Sequence, residues 1–277
     1  MRAIEEATWR ARVLAMLREW PLRAPRIDAD LTDIGDRALA WLIGTADGWY
    51  VAKLTFDGPE HVEPGLRIAG FLDAAGIPSG APLLTNDRRW CLPVDGDWTL
   101  AVLHYVTGEP LDLRAADAPV IAGDLLGRVH RTLASPHAPK PAGSLLEYYA
   151  SEAERLPGSP LGAALSVLFA AGPLREGTLY GDPAPEILIA PAADTAALID
   201  WGTPSRGPLL FDVVTWHLFV TTGCAPETRD ATDAAGDRFL AAYQRHIPLA
   251  DTELAQWSLV SDLYAAIQAT WRPTPPM

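Results

Sequence analysis

The sequence predicts an α+β fold in which a small mixed lobe built on an antiparallel sheet precedes a larger, mainly helical lobe. Three observations carry this. Two apolar runs, Ala38 to Ile43 and Trp49 to Thr55, flank the turn Gly44-Thr45-Ala46-Asp47-Gly48, the pattern of a β-hairpin. A second strand pair, Trp90 to Pro93 and Trp98 to Tyr105, brackets Asp95-Gly96-Asp97. Beyond Gly108-Glu109-Pro110 the apolar residues recur mostly at helical spacing. The expected division is therefore residues 1–105 and residues 106–277.

Taken in order, residues 3–19 place Trp9, Val13, Met16 and Leu17 on one helical face, and Pro21 stops that helix. After the first hairpin, residues 63–75 predict a helix closed by Gly76 and Pro78. In the second part, residues 116–134 carry Ile121, Leu125, Val129 and Leu133 at a four-residue step. Further helices are expected over 143–155, 160–171, 208–222, 232–246 and 250–271. The last of these lines up Leu254, Trp257, Val260, Tyr264, Ile267 and Trp271 as a core-facing stripe. Three short β-like pieces lie between the helices: Thr178-Leu179-Tyr180, Leu188-Ile189-Ala190 and Ala197-Leu198-Ile199.

Composition narrows the function. The chain has 277 residues, 49% hydrophobic and 21% charged, a globular balance with ample apolar surface to bury. Its 22 basic and 35 acidic residues give a net charge of −13. A protein that tracks nucleic-acid phosphates needs a basic surface, so no nucleic-acid partner is expected. An acidic body favours a cationic partner, or serves solubility alone. The two cysteines, Cys91 and Cys224, are far apart and form no metal-type cluster, which argues against a disulfide framework and structural zinc. With no basic-then-apolar leader and no apolar run near ~18 residues, the expectation is a cytoplasmic protein with no membrane partner.

The chemistry concentrates in Tyr180-Gly181-Asp182-Pro183-Ala184-Pro185-Glu186-Ile187-Leu188-Ile189 and in Ala197-Leu198-Ile199-Asp200-Trp201-Gly202. Asp182 opens a proline-rich loop that cannot be regular helix or central strand. Asp200 ends an apolar run. A hairpin from Leu188 to Ile199 would bring both carboxylates to the same end of adjacent strands, an arrangement suited to a divalent cation beside a general base. Asp at a strand end is also ordinary turn chemistry.

These stretches resemble the aminoglycoside-phosphotransferase and choline-kinase-like family, in which His-Gly-Asp begins the catalytic loop and Ile-Asp-Phe or Ile-Asp-Trp follows as the metal site. A third aspartate of that pattern corresponds to Asp212 in Gly207-Pro208-Leu209-Leu210-Phe211-Asp212, twelve residues after Asp200. The resemblance implies a protein-kinase-like fold with a nucleotide-binding N-terminal lobe, and ATP and Mg²⁺ as cofactors. It also implies that Asp182 orients or deprotonates an acceptor hydroxyl, that Asp200 binds Mg²⁺, and that Asp212 braces the catalytic loop. Lys53, in Trp49-Tyr50-Val51-Ala52-Lys53, resembles the third-strand lysine that grips nucleotide phosphates; its plainer reading is a solvent-facing strand lysine. Glu63 is a candidate partner for Lys53, and Glu60 is also available. Leu103-His104-Tyr105-Val106-Thr107-Gly108 resembles the hinge, with the backbone of His104, Tyr105 and Val106 holding adenine. Leu126-Gly127-Arg128-Val129-His130 resembles the family's Leu-x-x-Leu-His helix, with His130 packed rather than catalytic.

Three departures stand out. Tyr180 occupies the usual His position, and the turn near Asp33-Ile34-Gly35-Asp36-Arg37 has a single glycine. The second metal ligand, usually Asn five residues after the catalytic Asp, falls on Ile187; Glu186 is the nearest oxygen donor and the substitute candidate. The reading is an ATP-dependent phosphotransferase acting on a hydroxyl of a small molecule, such as an antibiotic or other metabolite. The alternatives are a degenerate kinase-fold scaffold and a kinase of peptide Ser/Thr hydroxyls.

Overall fold

The computed structural model describes residues 2–32, 38–181, 183–190, 195–223 and 229–271. In chain order the first elements are α1 (Arg2–Met16), β1 (Arg26–Asp30), β2 (Ala38–Gly44), β3 (Trp49–Phe56), α2 (Pro59–Ala74), β4 (Leu92–Pro93), β5 (Trp98–His104) and the short β6 (Glu109–Pro110). Then come α3 (Ala118–Leu133), β7 (Gly143–Ser144), α4 (Leu145–Arg155), α5 (Pro160–Ala170), β8 (Glu176–Leu179), β9 (Leu188–Ala190), β10 (Ala197–Leu198) and β11 (Ser205–Pro208). The chain closes with α6 (Leu209–Gly223), α7 (Arg229–Gln244), α8 (Asp251–Leu254) and α9 (Trp257–Trp271). The expected mixture of an antiparallel N-terminal sheet and a mainly helical remainder is therefore present. No helix among the described residues is long and apolar enough to cross a membrane.

Contacts divide the chain into two units, one formed by Met1–Glu109 with Ile189–Thr203, the other by Pro110–Leu188 with Pro204–Met277. This differs from a single cut between 105 and 106. The crossing lies at 109/110, and the segment Ile189–Thr203 returns to the first unit, where the Leu198 N–H donates to the Pro78 carbonyl at 3.1 Å.

In the first unit the sheet runs β1-β2-β3-β5-β4. The two expected hairpins form: β2 and β3 are antiparallel from Ala38↔Thr55 to Gly44↔Trp49, and β4 pairs antiparallel with β5. Alternation along β3 buries Ala52 and Leu54 in a core with Val13, Leu17, Trp20, Trp41, Ile43 and Val102. Lys53 consequently points to the opposite face, where Leu66 of α2, Cys91 and Ala101 form a second small cluster. The α2 helix starts at Pro59, earlier than the 63–75 span, because Pro suits the first helical turn and Gly58 caps it in extended conformation. Strand β1 was not anticipated. Its alternating Arg26, Asp28 and Asp30 make it a charged edge strand, and a register shift interrupts it between Ile27 and Ala29.

In the second unit α6 is mostly apolar and buried from Leu209 through Trp216, as a central helix must be, with Asp212 and Thr215 its buried polar residues over that stretch. Helix α3 buries Leu125, Val129 and Leu133 of the expected stripe. It also packs against α7 at glycine spacing. A methyl group added at Gly123 would lie 2.2 Å from the Phe239 carbonyl oxygen, and one at Gly127 would lie 2.9 Å from the Tyr243 carbonyl oxygen. The two glycines thus let the helix backbones approach. A small sheet, β7-β11-β8, leads into α6. The single helix expected over 250–271 is broken into α8 and α9, with Leu254 and Trp271 exposed. At the start of α8 the Glu253 carboxylate turns back to accept from the Ala250 N–H at 2.9 Å and from Arg175 at 2.8 Å, which caps the helix; the interruption comes after Leu254, at residues 255–256.

Candidate active site

The first unit brings Lys53 and Asp200 into an ion pair although 147 positions separate them. Sequence explains how. Lys53 stands on β3 between Ala40 of β2 and Ala101 of β5, and two small neighbours leave its side chain a channel. Asp200 follows β10 in a left-handed conformation, φ +66°, which a non-glycine residue adopts at a cost of about 1–3 kcal/mol. The turn is held on both sides. Trp201 is buried and its indole N–H donates to the Leu198 carbonyl at 3.1 Å, while the Gly202 N–H donates to the Asp200 carbonyl at 2.9 Å. Burying Trp201 leaves Asp200 facing outward, with its side chain about half exposed.

Around this pair lies a narrow pocket lined by Lys53, Val62, Leu66, Gly80, Leu103 and Asp200 among others. At one side Gly80, φ +67°, sits 3.5 Å (from an added Cβ) from the His104 carbonyl and 3.9 Å from a Val106 methyl. The three residues expected to hold adenine differ in what they can offer. The His104 N–H already donates to the Ala81 carbonyl at 2.9 Å and the Tyr105 N–H to the Trp49 carbonyl at 3.3 Å. Among the described residues only Val106 of these three keeps an unpaired backbone N–H.

Glu63 does not pair with Lys53. Its carboxylate accepts from Arg67 one helical turn onward, at 2.8 Å, and the Arg67 guanidinium lies 5.1 Å from the Trp90 ring centre. A local i,i+4 pair costs less ordering than a reach across to β3. Glu60, the other candidate, is exposed beside His61. Beneath α2, burial pushes the Cys91 thiol up to about 11, with the Glu63 charge adding to it, so this sulfur is inert.

In the second unit Asp212, in the first turn of α6, is fully buried. One carboxylate oxygen accepts from the Tyr180 N–H at 2.7 Å and the other from the Gly181 N–H at 2.9 Å. His130 Nε2 lies 3.0 Å from Asp212, and His130 Nδ1 lies 3.0 Å from the Tyr243 hydroxyl. His130 is thus packed within a buried network. Tyr180 packs edge-on against Trp216 with ring centres 5.9 Å apart, in the position where the family pattern has His. Asp182, the expected base, lies outside the described residues, as do the turn at 33–37 and Cys224. Glu186 is exposed on a single 3₁₀ turn, Pro185–Ile187, whereas Ile187 is only 7% exposed and belongs to the packing. Tyr243 was missed by sequence reasoning; its partner His130 is 113 residues away and nothing local signals the contact.

The residues present fit a particular kind of metal. Among the described residues no group of three or more His, Cys, Asp or Glu side chains could hold an ion by itself. Mg²⁺ retains waters and commonly takes one or two carboxylates plus substrate phosphates. Asp200 beside Lys53 suits an ion carried in by a nucleotide and does not suit a free-standing metal centre.

An N-terminal antiparallel sheet bearing a lysine that meets a post-strand aspartate, followed by a helical unit whose buried aspartate holds a Gly-Asp loop, defines a kinase-like fold. Solved structures agree. Over 99% of this chain and 90% of the other, the amicoumacin kinase hAmiN superposes with a TM-score of 0.74 at 15% identity. An aminoglycoside phosphotransferase from Alicyclobacillus acidocaldarius subsp. acidocaldarius DSM 446 gives 0.65 at 13% identity, covering 95% and 87%. A choline/ethanolamine kinase family protein from Mesorhizobium loti gives 0.60 at 16% identity, covering 96% and 86%. No curated protein matches the sequence significantly. Residues 30–249 match the model of the phosphotransferase enzyme family, and the chain belongs to that family.

Proposed function

We propose that the protein transfers the γ-phosphoryl group of ATP to a hydroxyl of a small molecule. The observation that carries this reading is the meeting of Lys53 and Asp200 in one pocket. Lys53 neutralises phosphate charge and the Val106 N–H donates to the base. Asp182 accepts the proton of the acceptor hydroxyl, and Asp212 fixes the two residues before it. Asp200 together with the nucleotide phosphates would hold Mg²⁺, which would supply neutralisation of the phosphate charge. Catalysis here is positioning and electrostatics, with no covalent intermediate on the protein.

The neighbours support nucleotide and small-molecule chemistry. The hAmiN structure is described as a complex with AMP-PNP, Ca²⁺ and Ami, and the other neighbours are named for aminoglycosides and for choline or ethanolamine. The net charge of −13 favours an amine-bearing acceptor of that kind. A panel of hydroxylated metabolites and antibiotics, screened with pure protein for acceptor-dependent ATP consumption, tests the reading. Asp182→Asn is expected to keep its nucleotide-dependent melting shift and to lose ~10²-fold or more in turnover, the range of a positioned acid–base group. Normal turnover in Asp182→Asn removes Asp182 from the mechanism. A protein that binds nucleotide but transfers phosphate to nothing, with any divalent metal, is the scaffold suggested by the buried Ile187.

A further inference from the structure

The buried network around Asp212 extends one residue further than the loop it holds. Gly127 lets α7 come close to α3, so that the methyl group it lacks would meet the Tyr243 carbonyl at 2.9 Å. One turn onward on α3, His130 meets the Tyr243 ring edge-on, centres 5.7 Å apart, with the hydroxyl 3.0 Å from Nδ1. The other ring nitrogen faces Asp212 at 3.0 Å, and both side chains of that pair are fully buried. Asp212 in turn accepts the Tyr180 and Gly181 amides that precede Asp182. No water is needed to complete the chain of donors and acceptors.

Its direction follows from the chemistry of its ends. A carboxylate can only accept, so Nε2 must carry a hydrogen toward Asp212. In the neutral ring Nδ1 is then the acceptor, and the Tyr243 hydroxyl is the donor that suits it. A phenol is a reliable donor there, because burial first, and the Asp212 charge next, raise its pKa above the ordinary value. We propose that Tyr243 is a positioning residue for phosphoryl transfer: by donating to His130 Nδ1 it holds the imidazole ring in place, so that Nε2–H orients the Asp212 carboxylate that sets the backbone before Asp182. The proposal rests on the kinase reading, because it assigns Asp182 the role of base. Without the hydroxyl, the buried Nδ1 has no donor, the ring is held from one side only, and its bond to Asp212 keeps good geometry only part of the time.

The test uses Tyr243→Phe, which removes one oxygen and keeps the ring against α3. Two readouts do not need the acceptor. Long-range ¹H–¹⁵N spectra should show His130 Nε2 bearing the hydrogen and Nδ1 as a hydrogen-bonded acceptor in the parent, with the Nδ1 resonance shifted in Tyr243→Phe, where its donor is gone. Amide exchange at Tyr180 and Gly181 should rise about tenfold, the equivalent of one net hydrogen bond. Turnover of ATP with Mg²⁺, with water as acceptor, should fall about tenfold while KM for ATP stays within about twofold, since transition-state positioning is lost and nucleotide binding is not. His130→Gln offers Asp212 an amide donor that needs no tautomer, so in that background Tyr243→Phe should have no further effect on exchange or turnover. Unchanged exchange and turnover in Tyr243→Phe overturn the proposal, as does hydrogen on Nδ1 in the parent, or equal effects of Tyr243→Phe in both backgrounds. A parent without ATP turnover sinks the kinase reading instead, and with it the catalytic role, while the tautomer and exchange data still decide whether the relay exists.

Discussion

Where the family pattern carries Asn, this chain has the packed Ile187, and one residue earlier the exposed Glu186. A ligand set reduced to Asp200 and phosphate oxygens binds one ion less tightly than a set with a second side chain. If Glu186 replaces the missing ligand, Glu186→Ala raises the Mg²⁺ concentration for half-maximal activity, and Glu186→Gln falls between it and the parent. A metal titration unchanged in Glu186→Ala makes it a surface acid. At this scale the sequence singled out Lys53, Asp200 and Asp212 because each stands in a short motif, and the structure pairs the first two and buries the third against the Tyr180 and Gly181 amides. The sequence misled at Glu63, although the clue was present, since Arg67 four residues on is a natural helical partner. It was silent about the His104 and Tyr105 amides, whose acceptors, Ala81 and Trp49 at the start of β3, are distant in the sequence. Tyr243 was equally hidden, because a tyrosine on an apolar helix face looks like core until its hydroxyl finds a partner.

The elements show which local signals survive folding. Both N-terminal hairpins formed because alternation and turn residues agree, and the long helices formed because their apolar stripes do. Strand β1 escaped notice because charge masks its alternation, and β11 because Ser205-Arg206-Gly207-Pro208 has almost none. The α3–α7 crossing yields a prediction with competing terms. Replacing Gly123 by Ala in mid-helix gains about 1 kcal/mol of helix propensity. The new methyl, however, would lie 2.2 Å from a backbone carbonyl that cannot swing aside as a side chain can. Overpacking of that kind costs about 1–3 kcal/mol. Gly123→Ala should therefore destabilise the protein in denaturant titration, and a stabilised variant would show that the two helices separate freely.

For the molecule as a whole, the division into units turns on a segment too short to announce itself. A composition change after Gly108 suggested one cut, but Ile189–Thr203 rejoins the first unit and delivers Asp200 to Lys53. Short strands such as β9 and β10 carry no compositional mark of the unit they belong to. The consequence is that one folded unit contains both charged groups of the proposed nucleotide site, so nucleotide should stabilise the fold through them. Ligand that binds only the folded state raises its melting temperature, by about 2.7 kcal/mol of free energy at a hundredfold excess over Kd. Melting with and without millimolar ATP and Mg²⁺, in the parent, Lys53→Ala and Asp200→Ala, reads this directly. A clear upward shift in the parent, reduced in both variants, is the predicted result. No shift in the parent, or a shift that both variants retain in full, contradicts the assignment of this pocket to ATP.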